Sequence, residues 1–428
     1  MTSMNIGIII GRIGDVDGVA LETEKWIQVL QRMGHEIFIL SGIFKGQVVA
    51  PERQTRLPIL SFRSPECEWE QNRAFFFPPD DPDELLMTIN ENAHRISTAI
   101  FSWVVLNKID VLLMENCTAL PCHLSMGLGI RMAVENMDAR VVTHDHDYAW
   151  ERGDRYNSPF PEILKLIKET FPLQSIPDIR HAVINSDARR NLEERFGIVA
   201  VMVPNVMDFE KPFGLVDDYN KDLLGQIGLD RDDIPLFQVS RIVERKGIEV
   251  AIDLIGRLED PKTKLVITGS AIDDPRKGYY KQLVDRVESQ GLGKRVRFAY
   301  HRILSSRGCT PRGQKRYSLS DAYAQAVACT YFSTFEGFGN AFIEAVLAKR
   351  PIFVNNYKPV FWPDIGSKGF ECVVLDDNEL TDEAVDRISD VLHDEKLQTE
   401  IAEHNFELGH KHFSYEVLER KLEVLFSA

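Results

Sequence analysis

Two glutamates in a glycine-containing turn are placed to accept hydrogen bonds from a bound ligand. Residues 333–345 read Ser-Thr-Phe-Glu-Gly-Phe-Gly-Asn-Ala-Phe-Ile-Glu-Ala, between a predicted strand and a predicted helix. A helix start carries partial positive charge and glycine lets a ligand approach the backbone, so a phosphate fits there. Glu336 and Glu344 would repel that anion, and we therefore expect them to bind neutral hydroxyls, such as those of a sugar.

A basic loop supplies the cations that such a ligand needs. Residues 240–247 read Ser-Arg-Ile-Val-Glu-Arg-Lys-Gly and connect a predicted strand to an amphipathic helix. Ligands of parallel α/β sheets bind at this end of the strands. Arg241 as a planar fork and Lys246 as a point charge would neutralise a diphosphate without a metal. Each segment alone also fits solvated surface charges, but the two together favour a nucleotide-sugar site.

A third segment, residues 143–152, is rich in histidine and aspartate and follows another predicted strand. Metal binding is one interpretation. In an extended chain, however, His144 and His146 lie on one side and the neighbouring aspartates on the other. No further ligand set is evident, so we expect no metal here. A histidine that only satisfies loop backbone groups is the structural alternative.

Aromatic and basic residues follow the two histidines. Trp150 offers an aromatic face, and Arg152 and Arg155 offer two guanidinium groups. Such a set would suit a polar acceptor that carries a carboxylate or a phosphate. Solvated arginines are equally consistent with the pattern.

Composition and charge restrict the class of protein. The chain has 428 residues, 44% of them hydrophobic, which allows two domains of about 200 residues with their own cores. A formal net charge of −15 argues against nucleic-acid or anionic-membrane binding. The chain has neither an apolar run long enough for a membrane span nor a signal-peptide pattern, so we expect a cytoplasmic protein. Six cysteines without a C-x-x-C pair indicate neither a zinc site nor a disulfide framework.

Strand and helix signals alternate along the chain, which predicts parallel sheets of the α/β class. The alternation restarts after a polar, acidic stretch, where we place the domain boundary. The predicted organisation is a first domain at residues 1–212, a linker at 213–233, a second domain at 234–404 and a C-terminal helical segment at 405–428.

The motifs at 240–247 and 333–345 resemble the donor site of family 4 glycosyltransferases, which are retaining enzymes of the GT-B fold. The spacing from Glu336 to Glu344 matches the E-x7-E pattern of that family. Residues 203–208 and 18–22 resemble its interdomain segment and its N-terminal loop, although this loop lacks the adjacent glycines common in the family and is not a dinucleotide fingerprint. The resemblance implies two Rossmann-like domains facing across a cleft, with the C-terminal helix crossing back onto the first.

The resemblance also implies a role for each motif residue. It assigns Glu336 to the donor sugar, Glu344 to the ribose, and the Arg241 and Lys246 cations to the diphosphate. His146 would lie near the reacting carbon, with His144 as the alternative register. The implied donor-site residues are Gly18, Arg241, Lys246, Arg302, Glu336, Gly337, Phe338, Gly339, Asn340, Ala341 and Glu344. The implied catalytic residues are His146, Arg241, Lys246 and Glu336; the acceptor-side residues are His144, Trp150, Arg152 and Arg155.

A second basic loop, residues 301–317, follows a predicted strand. In the resembling fold its start lies near the nucleotide base, so backbone contacts around residues 300–302 would read the base. The remainder is predicted to be either a mobile surface loop or a lid over the donor.

The function implied is transfer of a hexosyl group, mannose or glucose, from a nucleoside diphosphate sugar to a small polar acceptor, without metal or cofactor. Residues 115–121, the histidine-rich run and residues 339–342 look most like a branch that includes mannosylglucosyl-phosphoglycerate synthases. This favours GDP-mannose over UDP-glucose as the donor, and a phosphorylated or carboxylated acceptor. A nucleotide-sugar epimerase, a phosphorylase and a non-catalytic nucleotide-sugar sensor are the alternatives.

Overall fold

The computed structural model describes residues 3–14, 17–270 and 278–427, and the chain divides into two compact units. Unit 1 combines Met1–Val206 with Tyr415–Ala428, and unit 2 is Met207–Ser414. Each unit contains one parallel sheet with helices on both faces, which confirms the predicted α/β class.

Unit 1 has seven strands and a set of flanking helices. Its strands are β1 (Asn5–Ile13), β2 (Glu36–Phe44), β3 (Gln54–Arg56), β4 (Val111–Glu115), β5 (Arg140–Asp145), β6 (Ile179–Val183) and β7 (Ala200–Met202). Its helices are α1 (Gly18–Arg32), α2 (Pro65–Gln71), α3 (Asp83–Asn107), α4 (Leu124–Val134), α5 (Pro161–Thr170), α6 (Ser186–Phe196) and the C-terminal α15 (Tyr415–Phe426).

The sheet of unit 1 is buried on both faces, in the order β3-β2-β1-β4-β5-β6-β7. Successive residues of a strand point to opposite faces, so Ile8 packs with α1 and α15 while Ile9 packs with α3 and α4. This explains why its central strands are nearly continuous apolar runs rather than alternating ones.

Helix α15 buries an apolar side in the core that contains β1 and α1. Its Leu418 and Leu422 are fully buried. Arg140 and Arg180 donate hydrogen bonds to carbonyls at its C-terminal end, including Ser427 O at 2.8 and 2.7 Å. Cations at a helix C-terminus satisfy the last carbonyls and complement the helix dipole.

Unit 2 has a six-stranded sheet and a separate two-stranded hairpin. Its strands are β8 (Ile234–Gln238), β9 (Thr263–Ile267), β10 (Val296–Phe298), β11 (Gly308–Cys309), β12 (Lys315–Arg316), β13 (Ala328–Tyr331), β14 (Ile352–Asn355) and β15 (Val373–Leu375). Its helices are α7 (Leu223–Gln226), α8 (Ile248–Arg257), α9 (Tyr279–Ser289), α10 (Leu319–Gln325), α11 (Asn340–Leu347), α12 (Phe361–Asp364), α13 (Asp382–His393) and α14 (Glu395–Phe413).

The order of the parallel strands identifies where ligands bind. In unit 2 the sheet runs β10-β9-β8-β13-β14-β15, so the chain reverses direction across the sheet between β8 and β13. In unit 1 the equivalent reversal lies between β1 and β4. Open α/β sheets bind ligands at the carboxyl ends of the strands beside such a switch point.

Within the described residues, no helix has the length and apolar character needed to cross a bilayer.

Candidate functional site

The two loops predicted to bind the donor lie side by side at the switch point of unit 2. The basic loop follows β8 and the glutamate turn follows β13, and these strands are hydrogen-bonded neighbours. Thr334 N donates to Arg245 O at 2.8 Å. Gly247 has φ 57°, and a Cβ there would lie 2.1 Å from Phe332 O, so glycine is required where the loops meet.

Glu336 is held between two cations of the basic loop. Its Oε1 contacts Lys246 Nζ, and its Oε2 lies 2.9 Å from Arg245 Nη1. Glu336 and Lys246 are both only 8% exposed. Arg245 also donates to Phe335 O at 2.8 Å, which fixes its guanidinium against the turn. Arg245 was missed by the sequence reasoning, because nothing in the loop distinguishes it from a solvated arginine.

Burial and ion pairing act in opposite directions on Glu336. Burial raises the pKa of this carboxyl, but Lys246 and Arg245 outweigh burial and hold the pKa below its ordinary value. Burial is also the main reason that the pKa of Lys246 is lowered, with Glu336 opposing the effect. The two neighbouring cations therefore favour the ionised form of the Glu336 carboxylate.

The start of α11 follows directly from the glutamate turn. Gly339 precedes the helix with φ 131°, and a Cβ there would lie 2.2 Å from the Tyr357 hydroxyl. That hydroxyl donates to Phe338 O at 3.0 Å, which holds the turn in place. The N–H groups of a first helical turn point along the helix axis, and here Phe342 N already donates to Gly339 O at 3.0 Å. The predicted anion-binding segment, residues 337–341, thus has the expected strand-turn-helix geometry.

Glu344 lies within α11 and is partly exposed. Its Oε2 accepts a hydrogen bond from the buried Tyr323 hydroxyl at 2.9 Å. Tyr323 comes from α10 and was not among the predicted residues, because the contact depends on packing between two helices. Arg241 lies in the loop after β8 and is exposed.

Arg302 lies apart from this group. It follows β10, and strands β9 and β8 lie between β10 and β13. Because neighbouring strands lie about 4.8 Å apart, the distance from β10 to β8 alone is roughly 10 Å. The side chain is 4% exposed, and its Nη2 donates to Gln226 Oε1 at 2.7 Å. Its carbonyl accepts from Tyr317 N at 2.8 Å, so the backbone oxygen is also engaged within unit 2.

The second basic loop is tied to acidic residues. It contains the hairpin β11–β12, and Arg307 Nη2 lies 2.7 Å from Asp217 Oδ2. Arg307 Nε also donates to Asp321 Oδ2 at 3.0 Å, and Lys315 Nζ donates to Asp222 at 3.0 Å. These cations are therefore engaged in ion pairs, in contrast to the solvated side chains expected of a mobile surface loop.

The histidine-rich segment of unit 1 lies beside the end of β4. Glu115 and His144 are register partners on neighbouring strands, and His144 Nδ1 lies 3.0 Å from Glu115 Oε2. Both side chains are fully buried, while His146 retains 9% exposure. His146 Nε2 lies 4.0 Å from Glu115 Oε2, and the two imidazole centroids are 4.5 Å apart. The sequence reasoning missed Glu115, because strand order rather than local spacing brings it to the histidines.

Asn116 positions the loop that carries His146. It has φ 54°, and its side-chain oxygen accepts from His146 N at 3.0 Å. Its Nδ2 donates to Asp147 Oδ1 at 3.2 Å, and Asp147 in turn contacts Arg152. Asp145 points elsewhere and accepts from Thr143 and Tyr148 at 3.1 and 3.2 Å.

Burial controls protonation in this cluster. It lowers the pKa of His144 to about 3 and lowers that of His146 well below its ordinary value. It also raises the pKa of Glu115 well above the usual carboxyl range and that of Asp145 to about 7. Burial thus favours the neutral form of each of these side chains.

The predicted acceptor-side residues are partly covered. Trp150 stacks on Tyr148 with centroids 4.5 Å apart, and Arg195 lies 5.1 Å from its ring. Arg155 lies 5.7 Å from the ring of Tyr156 and is exposed.

Gly18 begins helix α1 and is exposed. The Asp17 carboxylate precedes it and accepts from Val19 N and Ala20 N, both at 3.1 Å. Arg12 Nε pairs with the same carboxylate at 2.8 Å. A phosphate at this helix start would therefore have to replace a carboxylate that already caps it.

Comparison with known proteins identifies the family. The family model described as "Glycosyl transferases group 1" matches residues 221–407, which include every donor-site segment of unit 2. The mannosylglucosylglycerate synthase of Thermotoga maritima is 32% identical, over 97% of this chain and 98% of its own length.

Solved structures show the same fold. A glycosyltransferase from Rickettsia africae superimposes with a TM-score of 0.69 at 16% identity, covering 99% of this chain and 98% of its own. The Anabaena protein HepE in complex with UDP-glucose has a TM-score of 0.62 at 15% identity, covering 99% and 100%. These likenesses support the GT-B fold expected from the sequence. The family model and the Thermotoga relative show that the chain belongs to the group 1 glycosyltransferases and is a glycosyltransferase enzyme.

Proposed function

We propose that this glycosyltransferase moves a hexosyl group from a nucleoside diphosphate sugar to a hydroxyl of a small acceptor that carries a carboxylate or phosphate, with retention at the anomeric carbon. GDP-mannose is the favoured donor and UDP-glucose the second. The observation that carries the proposal is the cluster of Arg245, Lys246 and Glu336 beside the start of α11.

Different residues of the site would bind different parts of the donor. Arg241, Lys246 and the first amides of α11 supply positive charge for the diphosphate. Glu336 and Glu344 are acceptors for sugar and ribose hydroxyls. The Lys246 contact with Glu336 holds the carboxylate ionised, and the Tyr323 hydroxyl fixes the direction of Glu344.

The chemical step follows from these charges. The bond between the anomeric carbon and the diphosphate oxygen breaks, and its electron pair goes to the leaving phosphate, where the cations stabilise the developing charge. The acceptor oxygen bonds to the anomeric carbon on the same face, and its proton passes to the leaving phosphate. No metal is needed at the diphosphate in this scheme. By the family resemblance, His146 would contact the donor sugar near the reacting carbon.

The choice of donor and acceptor is supported by the full-length relative. Its name states a product built from mannosyl, glucosyl and glycerate groups, and glycerate is a small carboxylate. We therefore propose mannosyl transfer to glucosylglycerate or to its phosphorylated form. The exposed guanidinium of Arg155 would suit either anion.

The test is a matrix of donors and acceptors with purified protein. GDP-mannose, UDP-glucose and ADP-glucose are each incubated with glucosylglycerate, its phosphorylated form and neutral glucosylglycerol, and products are assigned by NMR. We expect a mannosylated product only with GDP-mannose and an anionic acceptor, with the anomeric configuration of the donor retained. An inverted product would contradict the retaining mechanism, and equal transfer to glucosylglycerol would contradict the anionic acceptor.

A further inference from the structure

Gln238 is a fully buried amide at the last position of β8, where the basic loop begins. The two residues before it, Leu236 and Phe237, are fully buried and apolar. Burying a polar side chain costs free energy unless hydrogen bonds satisfy it, and central parallel strands are therefore mostly apolar. The hydrogen bonds of the Gln238 amide explain why a polar group lies here.

The Gln238 amide connects the neighbouring strand to the basic loop. Its Oε1 accepts a hydrogen bond from the buried Thr330 hydroxyl on β13. Its Nε2 donates to Lys246 O at 3.1 Å. Because the oxygen of an amide accepts and its NH₂ group donates, the Thr330 bond fixes which end of the amide faces the loop. Thr330, Gln238 and the Lys246 carbonyl thus form one hydrogen-bonded bridge.

We propose that Gln238 is a positioning residue for the Lys246 ammonium, and that Thr330 acts through Gln238. The inference rests on the proposed function, in which Lys246 stabilises the donor diphosphate. The Gln238 and Thr330 side chains are 0% and 2% exposed, so they would act through Lys246 rather than touch the donor.

The bridge completes the constraints on the backbone of Lys246. Lys246 N donates to Val243 O at 2.9 Å, which closes a short helical turn at the end of the basic loop. The next residue, Gly247, packs against Phe332 O so closely that a Cβ would not fit. With Gln238 bound to its carbonyl, the backbone of Lys246 is held on both sides of its Cα.

The other end of the Lys246 side chain is also held. Its Nζ contacts Glu336 and lies 5.0 Å from the centroid of the Tyr331 ring. A lysine side chain has a flexible stem, so the ammonium keeps one position only if both ends are fixed. Loss of the Gln238 bond would free the backbone end and shift the ammonium relative to a bound diphosphate. The attraction between the two charges falls with distance, and diphosphate binding should weaken.

Nucleotide binding separates positioning from a merely structural role. GDP and UDP are titrated into the purified wild-type protein by calorimetry, and the tighter nucleotide is then compared with its nucleoside, which lacks the diphosphate. Nucleoside binding is followed by ligand-observed NMR. We expect Gln238→Met to bind the nucleotide roughly tenfold more weakly than wild type, because a charge-assisted contact to phosphate is misplaced. Its affinity for the nucleoside should equal that of wild type.

Thr330→Val and a double variant test the bridge. Thr330→Val removes the hydroxyl that orients the amide and should weaken nucleotide binding about threefold. It also provides the test if Gln238→Met does not fold. The double variant should bind the nucleotide as weakly as Gln238→Met does, because Thr330 acts only through Gln238.

Thr263→Val is the control for loss of a buried hydroxyl. Thr263 is a fully buried threonine at the start of β9 in the same sheet, and its hydroxyl donates to Asp260 Oδ2 at 3.2 Å. Its removal should leave nucleotide affinity unchanged. An equal loss in Thr263→Val would overturn the inference, as would additive losses in the double variant or equal weakening of nucleotide and nucleoside in Gln238→Met.

Lys246→Ala distinguishes failure of this inference from failure of the proposed function. Weakened nucleotide binding in Lys246→Ala beside wild-type affinity in Gln238→Met would overturn the inference alone. Wild-type affinity in Lys246→Ala would show that Lys246 does not bind the diphosphate, and the inference would then fail together with that part of the proposed function.

Discussion

Arg245 Nη1 lies 2.9 Å from Glu336 Oε2, on the side of the carboxylate opposite to Lys246. The residue that the family pattern assigns to the donor sugar is thus part of a three-membered charge cluster. Because Glu336 and Lys246 are buried, the stability of unit 2 and the proposed donor contact of Glu336 depend on the same cluster. A change at Glu336 should therefore affect both properties.

Glu336→Gln is expected to destabilise the protein by about 3 kcal/mol, since it leaves Lys246 buried without a carboxylate. Chemical unfolding followed by fluorescence measures the change. Glu403→Gln is the control, because Glu403 forms an exposed pair with Lys349 and should cost less than about 1 kcal/mol. Equal stability of the two variants would show that the Glu336 cluster contributes nothing to folding.

Arg241→Ala should lower kcat roughly a hundredfold, which corresponds to about 3 kcal/mol of lost transition-state stabilisation. Arg241 is exposed in the loop after β8, so its removal should leave the unfolding temperature unchanged. Steady-state rates at saturating GDP-mannose measure the effect, and Lys358→Ala, which changes another exposed cation of unit 2, is the control. Near-normal turnover of Arg241→Ala would exclude this arginine from diphosphate stabilisation.

Tyr323→Phe removes the hydroxyl that donates to Glu344. If Glu344 binds the ribose, the freed carboxylate will be less well oriented, and we expect KM for the donor to rise up to roughly tenfold with a smaller change in kcat. Initial rates at varied donor concentration separate the two constants. Tyr219→Phe, which removes hydrogen bonds to Gly308 O and Arg316 O, tests whether any lost hydroxyl in unit 2 has this effect.

Asp321 gives the basic loop a pH-dependent attachment. Burial raises the pKa of this carboxyl, but Arg307 and other hydrogen bonds outweigh it and lower the pKa to about 2. The unfolded value is about 3.9, so the ionised group stabilises the fold above about pH 4 and loses this contribution as pH falls towards 2. Urea unfolding from pH 7 to pH 3 should show wild type losing its advantage over Asp321→Asn below pH 4. A constant difference between the two proteins would contradict this linkage.

The alternation of apolar runs and amphipathic stretches was enough to predict both parallel sheets, since parallel strands buried on both faces appear as apolar runs. Alternation alone does not give the bounds of strands as short as β3, β7 and β15, because a three-residue strand carries a weak periodicity.

Motif spacing placed Glu336 and Glu344 on one strand-turn-helix unit, because the strand, the turn and the helix are consecutive along the chain and each has a local sequence signal. Tertiary structure alone decided the contacts that cross elements: Arg245 with Glu336, Tyr323 with Glu344, and Glu115 with His144. It also placed Arg302 at a strand distant from the glutamate turn. The physical reason is that strand order and helix packing, which depend on the burial of whole faces, determine which distant residues meet.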